Sequence, residues 1–320
     1  MKDEPYVLII GSSNMDLVIY SERLPNPGET VTGGKFEHHL GGKGANQAVA
    51  SSRSGSITFF VAKIGNDEFG NQMMSQLSRE GINVEHMVRD FENPSGVAFI
   101  MVDRKGENMI SVAPGANALL EPEDIKKITQ IIKNASVIIV QMEIPTETIS
   151  QIFKLASGDQ PIKILNPAPL KLIPLDVLRL IDIIIPNEGE LYRMNTLFKL
   201  GELTGDPELD IILASRNLSR LGPKIVITTL GSRGCKIYES NKDEITHIDA
   251  LKVNAIDTVG AGDCFNGIIA SSLNKGETII NAVKFATVGA SIAVTRKGAQ
   301  SSMPYLDEIQ EMYKNYFGEN

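Results

Sequence analysis

The chain has only two cysteines, Cys235 and Cys264, too few for a disulfide framework and at no metal-ligand spacing. A reducing compartment, the cytoplasm, is the expected location. Its four histidines form no ligand pattern beyond the adjacent His38 and His39, and H-E-x-x-H is absent, which disfavours zinc-hydrolase chemistry. No apolar run reaches the roughly 18 residues of a membrane span. Met1-Lys2-Asp3-Glu4-Pro5 lacks the basic start and longer apolar stretch of a signal peptide. There is no basic block. The net charge is −8, with Lys and Arg spread along the chain, a poor match for nucleic acid or an anionic membrane. Two phosphate-binding fingerprints are also missing. In G-x-x-x-x-G-K-[ST], Glu37 stands at the first glycine and Gly44 at the hydroxyl position, and G-x-G-x-x-G fails at Gln47. P-loop and Rossmann dehydrogenase readings are weakened accordingly.

What is present is an alternation of short apolar runs with helical patterns. Val7-Leu8-Ile9-Ile10, Val137 to Val140, Ile162 to Leu165, Ile181 to Ile185 and Ile225 to Thr228 are continuous rather than alternating. Such runs suit parallel strands covered on both faces. Between two of them, Pro122 opens a helix that places Ile125, Ile128, Ile131 and Ile132 on one face. The alternation predicts an α/β fold of one domain over 1–320, with ligands beyond the carboxyl ends of the strands. Two segments, about 17–40 and 94–113, read as a small separate β-sheet, the second with a hairpin loop at Asp103 to Glu107. A lid or a dimer surface are its two natural uses.

The most specific stretch is Asp257-Thr258-Val259-Gly260-Ala261-Gly262-Asp263, before the apolar helix Cys264 to Leu273. Glycines at a helix start expose backbone N–H groups and make an anion hole, beside which Asp263 could take a proton from a hydroxyl. The same stretch also reads as an acid complementing a helix dipole. Gly41-Gly42-Lys43-Gly44-Ala45-Asn46-Gln47-Ala48 suits close approach and dense hydrogen bonding to a polyhydroxylated ligand, or a glycine-rich turn with a capping asparagine. Asn14 and Asp16, two apart after the first strand, can face one ligand or form an Asx turn. Glu143 lies just past another strand. Asn187 and Glu190 could orient magnesium-bound water, or be the two halves of a capping box. Thr229-Leu230-Gly231-Ser232-Arg233-Gly234 could receive a nucleotide, or be a turn between strands.

Together these segments resemble the ribokinase family of carbohydrate kinases. The resemblance runs from Leu8 to about Pro304 and is weakest over 191–222. It includes Gly-Ser-Ser-Asn-Met-Asp at 11–16, Pro-Gly-Glu-Thr-Val at 27–31, 41–48, Gly115-Ala116-Asn117, Leu165 to Pro169, Pro186-Asn187-Glu188, 229–234, 257–263 and Val294 to Gln300. It implies a central, mostly parallel sheet flanked by helices, with a β-lid that also forms a homodimer contact. It implies Asp263 as catalytic base and Gly260, Ala261 and Gly262 as the anion hole. Asn14, Asp16, Gly42, Lys43, Asn46 and Glu143 would hold a sugar. ATP would meet Asn187, Glu190, Thr229 to Gly234, Gly262 and Thr287, with Mg²⁺ near Asn187 and Glu190. A potassium ion would sit at Asp257, Val259, Ala293, Arg296, Gly298 and Ser302, several through carbonyls.

The implied activity is transfer of phosphate from ATP to O5 of D-ribose. Asn14 bears on the sugar, because relatives that prefer 2-deoxyribose tend to place an apolar residue there. The alternatives are another sugar or nucleoside kinase, acting on deoxyribose, fructose or adenosine, and a non-catalytic sugar- or nucleotide-binding protein. Cys264, next to Asp263, is either an alkylation target or a small buried residue.

Overall fold

Each residue from Val7 to Ile10 is fully buried, yet successive side chains enter different cores. A computed structural model, which describes residues 4–158 and 160–318, shows why. Val7, Ile9, Ile139, Ile164 and Ile227 join one apolar cluster, while Leu8, Ile10, Ile138, Val140, Leu165 and Val226 join a second. A strand with apolar groups on both pleats must lie between two helical layers.

In chain order the strands are β1 (Tyr6–Ile10), β2 (Asn14–Tyr20), β3 (Lys35–Gly41), β4 (Ile57–Val61), β5 (Lys63–Gly65), β6 (Val88–Asp90), β7 (Gly96–Val102), β8 (Asn108–Ala113), β9 (Val137–Gln141), β10 (Ile162–Asn166), β11 (Ile183–Ile184), β12 (Ile225–Thr229), β13 (Cys235–Glu239) and β14 (Glu244–Ile248). The main sheet has eight strands in the order β14-β13-β12-β11-β10-β9-β1-β4. It is parallel from β4 to β12, and β13 and β14 return antiparallel at one edge. Helices Lys43–Arg53, Ala261–Asn274 and Ile279–Ala293 supply side chains to the first cluster. Helices Thr146–Leu155, Glu188–Leu197 and Pro207–Ser219 supply the second.

A separate four-stranded sheet runs in the order β3-β2-β7-β8, with β2 and β7 parallel and the outer pairs antiparallel. Its root is at the ligand end of the main sheet, where Asn14 pairs with Gly41 on one side and Gly96 on the other.

Two expectations change in detail. The single helix from Pro122 is two, Pro122–Lys127 and Thr129–Asn134, because Ile128 leaves helical geometry with φ −107° and ψ 20°. Ile125 and Ile132 still reach the core, so the apolar stripe survives the break. The strand read over 181–185 shortens to Ile183–Ile184, although Ile181 and Ile185 are equally buried.

Candidate active site

Two helix starts meet at the carboxyl end of the main sheet. Helix Lys43–Arg53 follows β3 through Gly42, whose φ of 91° lies in the left-handed region that favours glycine. A Cβ at Gly44 would come within 2.8 Å of the Gly11 backbone, so this helix start lies directly on the turn that leaves β1. Helix Ala261–Asn274 starts at Gly260, also left-handed at φ 74°. The leading N–H groups of a helix have no acceptor within it. Here the Ala261 N–H turns back to the Thr258 carbonyl at 3.3 Å. A Cβ on Gly262 would meet nothing within 4 Å, so the space beside this helix start is open.

Asp263, in that first turn, is buried, and both carboxylate oxygens are held by amides of the other helix. Asn46 Nδ2 donates to Oδ2 at 2.9 Å and Gln47 Nε2 donates to Oδ1 at 3.0 Å. Burial pushes the Asp263 carboxyl up, against the Lys43 ammonium and the two amides, which favour the ionised form. Lys43 is in turn pushed up, chiefly by Asp263 and also by Glu143, Glu190 and Asp16. One ammonium thus faces four carboxyl groups.

Asp16 shows the strain of that arrangement. Desolvation, with Glu143 and Asp263 as like charges, raises its carboxyl to about 7. Glu143 accepts from the Ser12 hydroxyl and, at 3.1 Å, from the Lys43 backbone N–H, which ties the end of β9 to both loops. Asn14 and Asp16 lie on one face of β2. Asn14 Oδ1 accepts from Asn117 Nδ2 at 2.8 Å, and Asn117 also bonds the Ser13 backbone in both directions. That orientation leaves the Asn14 amino group as its unused donor.

The segments assigned to a nucleotide adjoin one another. Thr229 N–H donates to the Pro186 carbonyl at 3.0 Å. Asn187 and Glu190 form a reciprocal capping box at the start of helix Glu188–Leu197, with both bonds at 2.8 Å. Glu190 is nonetheless buried and pushed up by desolvation, and the charges acting on it include Lys43 and Asp263. Thr229 to Gly234 forms the turn between β12 and β13, with Leu230 buried and Gly231, Ser232 and Arg233 exposed. Arg233 pairs with Glu188. Thr287 is buried in helix Ile279–Ala293, where its hydroxyl donates to the Val283 carbonyl at 2.8 Å and its side chain meets Cys235 just past the turn.

The loops assigned to potassium are stitched together. Asp257 accepts from Val259 N–H at 3.0 Å and from Gly298 N–H at 2.9 Å, while Ile256 N–H donates to the Val294 carbonyl at 2.7 Å. The Ala293 carbonyl accepts from Arg296 N–H, Ser302 bonds the Ala299 carbonyl, and the Arg296 side chain pairs with Glu308. Among the described residues no group of three or more His, Cys, Asp or Glu gathers as a metal site.

Cys264 is fully buried and its thiol is pushed far up by desolvation, with Asp263 adding to the effect. Both effects favour the reading of Cys264 as a small buried residue, because the thiolate is the nucleophile and here it is disfavoured. Sequence reasoning named Asn46 and passed over Gln47, its neighbour in the same segment. It also passed over Gln141 and Asn166, polar residues at the ends of apolar strands, and Asn117. A polar residue closing an apolar parallel strand was the available signal.

Residues 4–306 match the family described as pfkB family carbohydrate kinase. The chain is 36% identical over 308 residues to the ribokinase of Staphylococcus aureus, spanning 96% of this chain and 99% of that one. It is 34% identical over 310 residues to the deoxyribokinase of Salmonella typhi, spanning 95% and 97%. Its structure matches that of Arabidopsis thaliana ribokinase complexed with ribose and ATP, at a TM-score of 0.88 and 29% identity over 97% and 99% of the two chains. The doubly covered parallel sheet and the separate small sheet agree with these likenesses, and the chain belongs to the pfkB family of carbohydrate kinases.

Proposed function

We propose that this protein phosphorylates D-ribose at O5 with ATP as the phosphate donor. The observation that carries the reading is Asp263, a buried carboxylate held by Asn46 and Gln47 in the first turn of a helix with open space beside it. Its free lone pairs accept the proton as the sugar O5 attacks the terminal phosphorus, and the bond from that phosphorus to ADP breaks. The N–H groups at Gly260, Ala261 and Gly262 favour the negative charge that builds on the transferring group. Asn14, Asp16, Gly42, Lys43, Asn46 and Glu143 surround the sugar. The Asn14 amino group, left over once Asn117 has taken its oxygen, is a donor for a 2-hydroxyl. A sugar lacking that hydroxyl strands a buried amide at roughly 1–3 kcal/mol, which favours ribose over the deoxy sugar.

Asn187, Glu190, Thr229 to Gly234 and Thr287 border the nucleotide. One Glu190 oxygen is taken by the cap, and the other remains for water on Mg²⁺. That ion, when bound, neutralises phosphate charge. Asp257, Val259, Ala293, Arg296, Gly298 and Ser302 fit a potassium ion, whose charge would steady the adjoining anion hole. The small sheet acts as a lid that excludes water, and its outer face pairs two copies of the chain in the cytoplasm.

The test is ADP release with Mg-ATP and ribose, deoxyribose, fructose or adenosine, with and without potassium. Ribose should give the highest kcat/KM, and Asp263→Asn should lose roughly 10²–10⁴-fold in kcat while staying folded. Asn14→Leu should narrow the preference for ribose over deoxyribose. Turnover of another substrate would reassign the pocket, and a fully active Asp263→Asn would remove the proposed base.

A further inference from the structure

A carboxylate that serves as a base must present a fixed oxygen to its substrate. Asp263 belongs to a helix end, where side-chain torsions are not fixed by backbone bonding. What holds it is a chain of amides extending to the main sheet. Gln47 uses both N–H bonds of Nε2, one to Asp263 Oδ1 at 3.0 Å and one to Asn166 Oδ1 at 3.2 Å. Its Oε1 accepts from Gln141 Nε2 at 2.6 Å. Asn166 Nδ2 donates to the Ile185 carbonyl at 3.1 Å, and the Ile185 N–H donates to the Leu165 carbonyl at 2.9 Å.

A backbone carbonyl can only accept. It therefore decides which end of Asn166 faces it, and Asn166 then decides which end of Gln47 faces it; Gln141 turns its donor to the Gln47 oxygen and leaves its own buried Oε1 without a partner. A flipped Gln47 would turn an oxygen toward the Asp263 carboxylate and leave several buried groups unpaired. Gln47 and Gln141 are fully buried, and Asn166 nearly so. These amides are shielded from solvent, and the Ile185 carbonyl sets the polarity of Asn166 and through it that of Gln47.

We propose that Gln47, locked by Gln141 and Asn166, is a positioning residue that holds the catalytic carboxylate of Asp263 ionised and oriented for proton transfer. This rests on the reading of Asp263 as base. The charged and titratable groups around Asp263 come from several neighbouring elements. Lys43 lies on the same helix as Gln47, Asp16 on β2, Glu143 past β9, Glu190 at the start of helix Glu188–Leu197, and Cys264 adjoins Asp263 on its own helix. Lys43 and the two amides favour the carboxylate, and burial and the acids oppose it. Removing the Gln47 donor tips the balance toward the protonated, inactive form.

The experiment compares pH profiles of kcat/KM for wild type, Gln47→Met and Gln141→Met, with thermal melts and ribose binding by calorimetry. Gln47→Met keeps length and removes the donor. It should lose roughly 10- to 100-fold at the acidic end of the profile, recover substantially as pH rises, and bind ribose within about threefold of wild type. Gln141→Met leaves the donor in place but unlocks it, and should show a smaller loss of the same pH shape. If Gln47→Met does not fold, the Gln141→Met profile decides alone. A uniform loss at all pH values, or an unchanged profile in Gln141→Met, would overturn the proposal while wild-type turnover of ribose left the function standing. A wild type that turns over none of the candidate substrates would instead remove the function on which it rests.

Discussion

Asp16 is the residue where function and stability pull apart most clearly. Its carboxyl is raised to about 7 in the fold, from an ordinary value of 3.8. Between those two values the folded chain holds a proton that the unfolded chain has released. Stability therefore falls as pH rises through that window, by an amount on the order of 2–4 kcal/mol once Asp16 is fully ionised. Asp16→Asn removes the penalty. In the absence of sugar the variant should melt above wild type at pH 8, and the two should converge near pH 4. Its ribose affinity should be weaker, because a carboxylate accepts from two hydroxyls and an amide oxygen is a poorer acceptor. Melts at the two pH values and calorimetry check both halves, and a variant less stable than wild type at pH 8 would contradict the electrostatic account. Asn14 and Asp16 were legible as a pair from their spacing. The carboxyl's shift was not, because it arises first from burial in the folded site and then from Glu143 and Asp263, far away in sequence.

Among the elements, helix Lys43–Arg53 is held at both ends. It carries Lys43, Asn46 and Gln47 in its first turns, and Gly44 lets it rest on the Gly11 turn with the Ala45 N–H bonded to the Ser12 carbonyl at 3.0 Å. At its far end Arg53 donates to the Gln300 and Met303 carbonyls at 3.1 and 2.7 Å and pairs with Glu80. Both ends are anchored, so the helix cannot slide to make room. Gly44→Ala should cost about 1–3 kcal/mol and raise the KM for ribose more than that for ATP. A melt and two substrate titrations read this, and an unchanged KM would mean that the helix start yields. The glycine-rich spacing announced a special turn. Which backbone it approaches was decided by β1 and by the way β3 delivers the chain.

The whole molecule leaves one surface without a covering layer. Register places Leu17, Ile19, Phe36, Phe99, Met101 and Met109 on one face of the small sheet, opposite the face that carries Asn14 and Asp16. Phe36, Phe99 and Met109 are each more than half exposed. An apolar sheet face of this kind calls for a partner, and a second copy of the lid is the occupant proposed above. Phe99→Asp should convert a dimer to a monomer in sedimentation and lower activity at dilute enzyme, with the main-sheet core unaffected. A wild type that sediments as a monomer at all concentrations would remove the dimer. No described helix is long and apolar enough to cross a membrane.

The continuous apolar runs by themselves determined the doubly covered parallel sheet, since a strand that alternates nothing must be buried on both pleats. The glycine-rich segments determined where two helices of the site would begin. Only the tertiary structure decided that Asn46 and Gln47 face Asp263 across 216 or more residues of chain. It also decided that Glu190, which caps a helix with Asn187, lies within the field of Lys43 and Asp263, and that Cys264 is sealed away. Sequence periodicity encodes burial, which is local along an element. Carboxylate environments and amide orientation depend on which elements the folded chain brings into contact.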